Sequence, residues 1–500
     1  MSRLGTTPRL SKSRYLAGLQ CHKRLYLEIF APGLAAEPDA QTRALLAMGS
    51  QIGVLARQQF PGGVLVAAGH RQSTQALEHT VSLLADPDVP AIFEAAVTYD
   101  QVLVRVDILE RVPSEAGGQI RWRLIEVKSS TRVKDVHLDD LAVQAHVLTG
   151  AGLTLEGVRL MHINTAYVYQ GGNPDLSRLF AAEDVTEAVL ARRLDVASRM
   201  AEMKAMLAEP QPPAIEPDGH CHVPYECPFW AACTKDKPPR WVFQLPGGEE
   251  TAASLVARGI QTIDDIPPDF PLSPVQRFVR DQVEWIGPGL KAALDEVRQP
   301  VHHLDFETLM LAVPRYPLLR PYQPVPVQWS NHIEATPGEV RHDEFLWTDT
   351  TDPREALAVS LLESLGKDGS ICVYSTYERF ILEGLAQAVP ALKKDIMLVV
   401  RRLWDLHKVL QAHYYHPAFQ GSYSMKTVLP ALVPALAYGN LEVQEGGMAA
   451  RLYYHMAFEE TDWVEKARLR KALRDYCARD TVGMLEIRRA LHLKVNHGAS

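Results

Sequence analysis

Two acidic residues in the second half of the chain stand one residue apart, in a pattern that could hold a metal ion. Asp305 and Glu307 belong to the segment LDFET, where Leu304 and Phe306 alternate with them. In a β-strand alternate side chains point to opposite faces, so the two acids would share one face and the apolar pair would turn into the core. Two carboxylates on one half-buried face are costly unless cations neutralise them. The pattern predicts a divalent-metal site on a strand.

A second pattern with an acid lies near the end of the chain, in RDYCARDTVGMLEI. Tyr476 and Asp480 are four residues apart, which is about one turn of an α-helix, so the phenol and the carboxylate would share a helix face. A strand that carries Asp305 and Glu307 and a helix that carries Asp480 come from separate places in the chain. Only a shared cation makes their convergence favourable, because crowded like charges repel. We therefore group these residues as one candidate site.

A third constellation lies on two predicted strands in the first third of the chain. Segments 102–109 (VLVRVDIL) and 121–128 (RWRLIEVK) alternate apolar and polar residues, as half-buried strands do. Asp107 is predicted to end the first strand, and period two places Glu126 and Lys128 on one face of the second. Two carboxylates can hold Mg²⁺, which polarises a phosphate, while the lysine stabilises developing charge. An ordinary surface hairpin is the alternative.

Four of the six cysteines form a candidate metal centre. Three are spaced C-x5-C-x5-C in HCHVPYECPFWAAC, and one lies some 200 residues earlier in GLQCHKRLYL; they are Cys21, Cys221, Cys227 and Cys233. The trio's segment has too little apolar periodicity for all three to be core residues. Four thiolates suit a cubane iron–sulfur cluster or a tetrahedral zinc ion, and the absence of two CxxC pairs disfavours zinc. Zinc, or no metal at all, stays an alternative. Cys372 and Cys477 are predicted to be buried small hydrophobic residues.

Composition and charge restrict the class of protein. The chain has 500 residues, of which 47% are hydrophobic and 22% charged, with a net charge of -8; this is room for about three folding units. A protein that coats nucleic acid would be basic, so any nucleic-acid contact must be local; residues 1–60 do carry eight Lys or Arg against three Asp or Glu. Few cysteines, no apolar signal-peptide core and no run of about 20 apolar residues predict a cytoplasmic protein without a membrane partner.

The elements that must position these residues follow from periodicity and from Pro- and Gly-rich breaks. A turn is predicted over 113–120, and helical spacing occurs at 138–149 and 184–208. ETAASLVARGIQTIDDIP, within 240–299, suggests two short helices around a Gly turn, similar to helix-hairpin-helix units that bind phosphate backbones. After Pro300 the predicted strands are 301–306, 325–333, 343–347 and 371–375, and the predicted helices are 354–366, 376–388 and 463–494. We expect domains at 1–238, 239–299 (a small helical connector) and 300–500.

The first predicted domain resembles the RecB-like nucleases of the PD-(D/E)XK type, in particular their iron–sulfur branch. The resemblance rests on the D…ExK residues and on the cysteine quartet, and it implies a restriction-endonuclease-like fold with a 4Fe-4S cluster. Gln144, in DDLAVQAHVL, stands where that family has its glutamine. Two positions depart from the family: Leu148 replaces an expected tyrosine, and Gly53 replaces an expected metal-binding histidine. This resemblance implies a weak nuclease site, or one that only binds nucleic acid.

The last predicted domain resembles the DEDD exonucleases of the ribonuclease H-like fold. In that family four acids hold two divalent ions, Mg²⁺ or Mn²⁺, and a tyrosine orients the attacking water, which are the roles implied for Asp305, Glu307, Asp480 and Tyr476. YSTYERF supplies Glu378 as the implied middle acid, with Ser375 where the family has Asn, and Asp405 is an alternative fourth ligand. In GSYSMKTVLPAL, Tyr423 and Lys426 are candidate phosphate contacts, although a helix start at Ser424 explains them as well.

The stretches LDFET, RPYQPVPVQWSNH, YHPAFQGSYSMKTVLPALVP and YCARDT also resemble a bacterial family known as domain of unknown function 2779, over roughly 300–440 and on to the YxxxD helix. We therefore expect a mixed α/β hydrolase that cleaves DNA or RNA phosphodiester bonds, as a 3′–5′ type exonuclease at the C-terminal site. The alternatives are a nucleic-acid-binding protein with a degraded N-terminal site and a zinc-stabilised adaptor.

Overall fold

The computed structural model describes residues 9–69, 72–113 and 119–497, and these form a mixed α/β protein, as predicted. The chain divides into two compact units. One comprises Met1–Lys237 and Ala312–Pro321, and the other comprises Pro238–Leu311 and Tyr322–Ser500. The segment 239–299, predicted as a separate connector, belongs to the second unit; its helix at Leu290–Asp295 packs on the helices Leu406–His413 and Trp463–His497.

The first unit is built on one large sheet with helices around it. Its strands are β1 (Leu10–Ser11), β2 (Val64–Leu65), β3 (Ala91–Tyr99), β4 (Val102–Val112), β5 (Arg121–Lys128), β6 (Leu155–Ile163) and β7 (Phe180–Asp184). Its helices are α1 (Lys12–Gln20), α2 (His22–Phe30), α3 (Ala40–Arg57), α4 (Ser73–Ala85), α5 (Asp135–Gly150), α6 (Leu176–Leu179), α7 (Thr186–Arg193), α8 (Val196–Ala208) and α9 (Trp230–Thr234).

The sheet of the first unit has the order β2-β3-β4-β5-β6-β7, with β1 beside β4. Strands β3, β4 and β5 form an antiparallel meander, α5 crosses over, and β6 runs parallel to β5. The predictions for 102–109, 121–128 and 138–149 are confirmed, and 184–208 forms α7 and α8 with a break between them. Asp107 was wrongly expected to end its strand, since β4 continues to Val112. Most of the predicted turn at 113–120 lies outside the described residues.

The second unit contains a mixed sheet, a two-stranded ribbon and ten α-helices among its described residues. Its strands are β8 (Trp285–Ile286), β9 (Val301–Leu309), β10 (Val325–Thr336), β11 (Glu339–Leu346), β12 (Ser370–Val373), β13 (Leu403–Asp405) and β14 (Tyr414–Tyr415). Its helices are α10 (Glu249–Ala257), α11 (Pro274–Asp281), α12 (Leu290–Asp295), α13 (Arg354–Leu365), α14 (Tyr377–Ala388), α15 (Lys393–Val400), α16 (Leu406–His413), α17 (Met425–Leu432), α18 (Gly446–Tyr454) and α19 (Trp463–His497).

The five-stranded sheet of the second unit has the order β11-β10-β9-β12-β13. Strands β9, β10 and β11 are antiparallel neighbours, whereas β12 and β13 run parallel to β9. Helix α13 packs against β10, and α19 packs along β9, β10 and β11. The elements predicted after Pro300 are confirmed within a few residues, because their alternating or helical periodicity is strong. The strand with the candidate acids, β9, lies at the centre of this sheet.

The predicted pair of helices around a Gly turn is only half formed. Helix α10 ends before Gly259, which has a φ of 80° that suits glycine. The following segment forms a 3₁₀ turn at Ile263–Asp265 instead of a second α-helix, and the next α-helix is α11. This segment therefore lacks the two α-helices of a helix-hairpin-helix unit. No helix in the described part of the chain is long and apolar enough to cross a membrane.

Candidate functional site

Strand β9 carries two of the predicted metal ligands in the middle of the second unit's sheet. Leu304 and Phe306 are 0% and 4% exposed and belong to the core beside α13 and α14. Asp305 and Glu307 alternate with them and therefore lie on the face that α19 covers. The sharing of one face by the two acids, predicted from the LDFET pattern, is confirmed.

Helix α19 brings further groups to the strand acids. The Cys477 sulfur lies 3.7 Å from Asp305 Oδ2. Ligand atoms of Asp305, Glu307 and Cys477 all lie within 4.8 Å of one another, and they are the one such group of three or more His, Cys, Asp or Glu side chains among the described residues. The prediction that Cys477 is buried is confirmed, but its sulfur lies beside the carboxylates. Burial, followed by Asp305, raises the pKa of the Cys477 thiol well above its usual value, which keeps it neutral.

Asp305 lies within electrostatic range of the three other predicted acids. Burial, and then the carboxylates of Asp480, Glu307 and Glu378, raise the pKa of Asp305 well above its usual value. Burial and Asp480 raise the pKa of Glu307 in the same way. Burial raises the pKa of Glu378 to about 7 and that of Asp480 to about 6. Ionisation of these carboxyl groups therefore costs free energy, and a bound cation would offset this cost.

The helix-borne acid is oriented by a tyrosine that the sequence reasoning missed. The Tyr438 hydroxyl donates a hydrogen bond to Asp480 Oδ1, and the Tyr438 ring lies 6.2 Å from the ring of Tyr476. Tyr476 is 5% exposed, and burial, followed by Asp480, raises the pKa of its phenol, so it stays protonated. No local spacing links Tyr438 to Asp480, because folding alone brings the two together.

The middle acid is placed by the end of β12 and the start of α14. Glu378 lies in the first turn of α14, is 4% exposed, and accepts a hydrogen bond from Ser375 Oγ at 3.2 Å. Asp405, the alternative ligand, caps α16 by accepting a bond from the Lys408 backbone N–H at 3.1 Å. Glu378 raises the pKa of Asp305, whereas Asp405 acts on Glu378. These electrostatic effects favour Glu378 as the fourth acid.

Two residues before and inside α17 were candidate phosphate contacts. Lys426 lowers the pKa values of Glu307 and Asp480 against the effect of their burial, so its charge lies near both acids. Tyr423 is 8% exposed, and its ring packs against Phe419, with the centroids 5.6 Å apart. Lys426 thus remains a candidate phosphate contact, whereas Tyr423 is part of an aromatic cluster.

In the first unit, the D…ExK residues also come together. Lys128 Nζ lies 2.6 Å from Glu126 Oε1, and Gln144 Nε2 donates to Glu126 Oε2 at 2.8 Å. Asp107 Oδ2 accepts a hydrogen bond from the Val127 backbone N–H at 2.8 Å. Glu126 and Gln144 are 1% and 0% exposed, which is a degree of burial that an ordinary surface hairpin does not require.

Sequence reasoning missed two charged residues of the front site, which is the cluster of polar side chains around Glu126 in the first unit. Asp140, one turn before Gln144 on α5, accepts from Lys128 Nζ at 2.9 Å and from Gln144 at 2.9 Å. Lys12, at the start of α1, donates to Glu126 Oε1 at 2.9 Å. Asp140 lies four residues before Gln144, which is about one helical turn, so the spacing could have suggested that Asp140 belongs to the site. No local pattern could have suggested Lys12, since it is 114 residues from Glu126.

The charges of the front site are unevenly distributed. Burial, and then Glu126, raise the pKa of Asp107 to about 7. Burial would also raise the pKa of Glu126, but the ammonium groups of Lys12 and Lys128 outweigh it and lower that pKa. Burial and Glu126 raise the pKa of Asp140. Glu126 is therefore the permanent anion of the group, held between two cations.

The two positions that depart from the RecB-like pattern have different surroundings. Leu148 is 0% exposed and belongs to the apolar core of the first unit. Gly53 lies on α3, which packs against β5, and a Cβ atom added to it would meet nothing within 4 Å. A larger side chain would therefore fit at position 53, whereas position 148 is committed to packing.

The four predicted cluster cysteines converge at one place in the first unit. Burial raises the pKa values of Cys221, Cys227 and Cys233, and the Cys21 thiol raises each of them further. Gln20 Nε2 donates to the carbonyl oxygens of His220 and Tyr225 at 2.8 Å each, which ties the segment of Cys21 to that of the trio. All four cysteines are free thiols.

The spacing of these thiols bears on which metal they could hold. Among the described residues no three of the four sulfurs lie within 4.8 Å of one another. A tetrahedral zinc ion, with bonds of about 2.3 Å, needs its four sulfurs within about 4 Å of one another. A cubane cluster binds each thiolate to a different iron atom, so its sulfurs lie farther apart. The four sulfurs as described are therefore not at the spacing of a tetrahedral zinc site.

Comparison with known families concerns the second unit. Residues 302–424 match the model of the family described as Domain of unknown function (DUF2779). This confirms the predicted resemblance over β9 to the start of α17, although the match ends before the predicted limit near 440 and before the YxxxD helix. Comparison with curated proteins gives no match.

Proposed function

We propose that the second unit is a metal-dependent nuclease that removes nucleotides from DNA or RNA ends. The observation that carries this proposal is the gathering of acids around Asp305: its ligand atoms lie within 4.8 Å of those of Glu307, and Asp480, Glu307 and Glu378 all raise its pKa. Among the described residues none of these carboxylates forms an ion pair with a lysine, arginine or histidine. Carboxylates gathered without ion-pair partners are typical ligands of divalent-metal sites in phosphodiester hydrolysis.

The topology around the acids supports this proposal. An antiparallel β9-β10-β11 meander with β12 and β13 added in parallel on the other side of β9 is the strand order of the ribonuclease H-like fold. In that fold, the first acids lie on the central strand and the last acid lies on a late helix, as Asp305 and Asp480 do here. The likeness of topology is an argument for the fold, and the acids are the argument for the chemistry.

The donor set of the back site, defined as Asp305, Glu307, Glu378 and Asp480, fits Mg²⁺ or Mn²⁺. All four are carboxylates, which are the hard oxygen ligands these ions prefer, and the neighbouring Cys477 stays a neutral thiol. When bound, the ions would polarise the scissile phosphate and lower the pKa of the attacking water. The four acids would hold them.

The chain's own residues would do the remaining work. The protonated Tyr476 hydroxyl lies among the acids and can hold a water in line with the phosphate by a hydrogen bond. Tyr438 fixes the carboxylate of Asp480 through its hydrogen bond. Lys426 adds a positive charge near Glu307 and Asp480, on which a substrate phosphate can rest. These residues position the substrate and the water.

For the first unit, we propose a PD-(D/E)XK-type nuclease fold that carries a 4Fe-4S cluster on Cys21, Cys221, Cys227 and Cys233. The antiparallel meander β3-β4-β5, the crossing helix α5 and the parallel strand β6 match the order of that fold. The cluster would join segments 200 residues apart in the chain. Nucleic-acid binding without cleavage is a second candidate function for this unit, favoured by the lysines that pair with its acids.

The experiment that tests the nuclease proposal compares two variants on one helix. Asp480→Asn keeps the shape and removes the charge of a proposed ligand, whereas Asp475→Asn removes an exposed acid that pairs with Lys471. Degradation of end-labelled single- and double-stranded DNA and RNA is measured with Mg²⁺, with Mn²⁺ and with a chelator. We expect metal-dependent degradation in wild type and in Asp475→Asn, and a loss of about 10³-fold or more in Asp480→Asn. Equal rates in the two variants would contradict the proposal.

A further inference from the structure

Lys12 lies inside the front site, defined as Asp107, Glu126, Lys128, Asp140 and Gln144, although the D…ExK pattern does not call for it. Its Nζ is 2.9 Å from Glu126 Oε1 and 3.4 Å from Asp140 Oδ1. Lys128 Nζ is 2.6 Å from the same Glu126 oxygen and 2.9 Å from Asp140 Oδ2. Two ammonium groups thus bridge the same two carboxylates.

The backbone delivers Lys12 to this position. Leu10 and Ser11 form β1, which pairs in parallel with Val102 and Leu103 of β4, the strand that also carries Asp107. Ser11 then caps α1 by accepting a hydrogen bond from the Arg14 backbone N–H at 3.3 Å. The Lys12 side chain is 23% exposed, so most of it lies inside the protein. The pairing of β1 and the cap of α1 thus fix the backbone at Lys12, whereas a lysine on an unconstrained surface segment would have no such support.

The front-site carboxylates have little capacity left for a divalent ion. Glu126 Oε1 faces both lysines and Oε2 accepts from Gln144. Asp140 Oδ1 accepts from Gln144 and faces Lys12, while Oδ2 accepts from Lys128. All four oxygens of Glu126 and Asp140 thus already face a donor. A metal ion of small radius needs the same lone pairs and would bring two more positive charges beside two ammonium groups.

The back site shows the opposite arrangement. It gathers four carboxylates, and in the described part of the chain none of them pairs with a basic side chain. Lys426 acts on Glu307 and Asp480, and Arg479 acts on Asp480, without an ion pair. The front site instead has three carboxylates, two of which, Glu126 and Asp140, are in direct contact with two ammonium groups. The two sites therefore differ in how their negative charge is neutralised, and the residues of the front site do not fit a resident Mg²⁺ or Mn²⁺.

We propose that Lys12 is a built-in counter-cation of the front site, which takes the place of a divalent ion and keeps such ions out. This inference rests on the proposed nuclease-type assignment of the front site, but not on activity at the back site. It is an alternative to the expectation that Asp107 and Glu126 hold Mg²⁺ or Mn²⁺, which stays a prediction. Removal of the Lys12 charge should free Glu126 and Asp140 and create a metal site.

The test counts bound Mn²⁺ by electron paramagnetic resonance in the full chain that carries Asp305→Asn and Asp480→Asn, so that the back site does not contribute. In this background, Glu126→Gln should leave the number of bound Mn²⁺ unchanged. Lys12→Met should add one Mn²⁺ per chain, with binding at least about 10-fold tighter than in the parent, and Glu126→Gln should remove it again. Lys204→Met, which breaks a surface pair with Asp100 at 2.7 Å, is the matched control and should add none.

Two results would overturn the proposal. The first is a loss of bound Mn²⁺ when Glu126→Gln is introduced beside the native Lys12, because the metal would then coexist with the lysine. The second is a folded Lys12→Met variant, judged by circular dichroism, that gains no Mn²⁺. If Lys12→Met does not fold, the count of bound Mn²⁺ with and without Glu126→Gln, both beside native Lys12, still tests the proposal. Failure of the nuclease proposal would show in degradation rates and leave this count unchanged.

Discussion

At the scale of single residues, the back site is organised by hydrogen bonds to acids instead of by ion pairs. Tyr438 donates to Asp480, and Ser375 donates to Glu378 at 3.2 Å. Neutral donors orient a carboxylate and leave its charge in place, whereas a lysine would cancel it. The acids are thus aligned and still able to bind a cation.

Tyr476→Phe should reduce the rate of nucleic-acid degradation less than a ligand substitution does. The change removes one hydroxyl and leaves all four acids. Loss of a hydrogen bond to a charged or activated group costs about 1.5–3 kcal/mol, which corresponds to about 10- to 100-fold in rate. The measurement is kcat on end-labelled substrate at saturating Mg²⁺, with Asp480→Asn as the comparison. A loss as large as that of Asp480→Asn would show that Tyr476 is needed for more than orientation.

Glu378 should make the metal-free protein less stable as the pH rises. Its pKa in the folded protein is about 7, above the usual 4.5, so the folded state binds the proton more tightly than the unfolded state. The resulting stabilisation is fully present below about pH 4.5 and is lost as the pH rises through about 7, on the order of 3 kcal/mol. In Glu378→Gln this loss should be absent, so the variant gains on wild type between pH 5 and pH 8.

Urea unfolding in the presence of a chelator at these two pH values measures the difference in free energy of unfolding. Glu383→Gln is the control, because Glu383 lies on the same helix with a side chain 44% exposed and should change the free energy of unfolding equally at both pH values. The same pH profile in wild type and Glu378→Gln would show that Glu378 does not carry a raised pKa.

At the scale of elements, the cysteine quartet joins the loop between α1 and α2 to the segment around α9. If it holds a 4Fe-4S cluster, anaerobically purified protein should contain about four iron atoms per chain and absorb light at about 400 nm. Cys227→Ala should lose both the iron and several degrees of melting temperature, since the cluster joins distant segments. Cys372→Ala, a change of a buried strand cysteine, should retain the iron. Stoichiometric zinc without iron would contradict the cluster.

Also at the scale of elements, local sequence patterns predicted some features of the fold and of the sites and missed others. Strands β4, β5 and β9 were predictable because period-two alternation is a local property, and Asp305 with Glu307 needed no more than that. Ser375 and Glu378 were placed by resemblance to a family motif. Lys12 and Tyr438 could not be predicted, because Lys12 meets Glu126 across 114 residues and Tyr438 meets Asp480 across 42. Such contacts depend on sheet order and on helix packing, which no local pattern encodes.

At the scale of the whole molecule, an acidic chain carries two acid-rich sites with different charge balance. The net charge of -8 is unsuited to general nucleic-acid coating, so the proposed nucleic-acid substrate would have to be guided by local cations. In the first unit, Lys12 and Lys128 are committed to Glu126 and Asp140, whereas the back site has acids in surplus. We therefore propose that cleavage belongs to the second unit and that the first unit binds nucleic acid without cleaving it.

The most direct test of this assignment is the degradation rate of end-labelled substrate by Asp305→Asn in a Lys128→Ala background, compared with Lys128→Ala alone. Lys128→Ala removes the lysine that the D…ExK pattern requires for cleavage at the front site, and it changes no residue of the back site. We predict that Lys128→Ala alone retains metal-dependent release of nucleotides, and that adding Asp305→Asn lowers the rate by about 10³-fold or more while circular dichroism is unchanged. Equal rates with and without Asp305→Asn would contradict the account, because the second unit would then not be the nuclease.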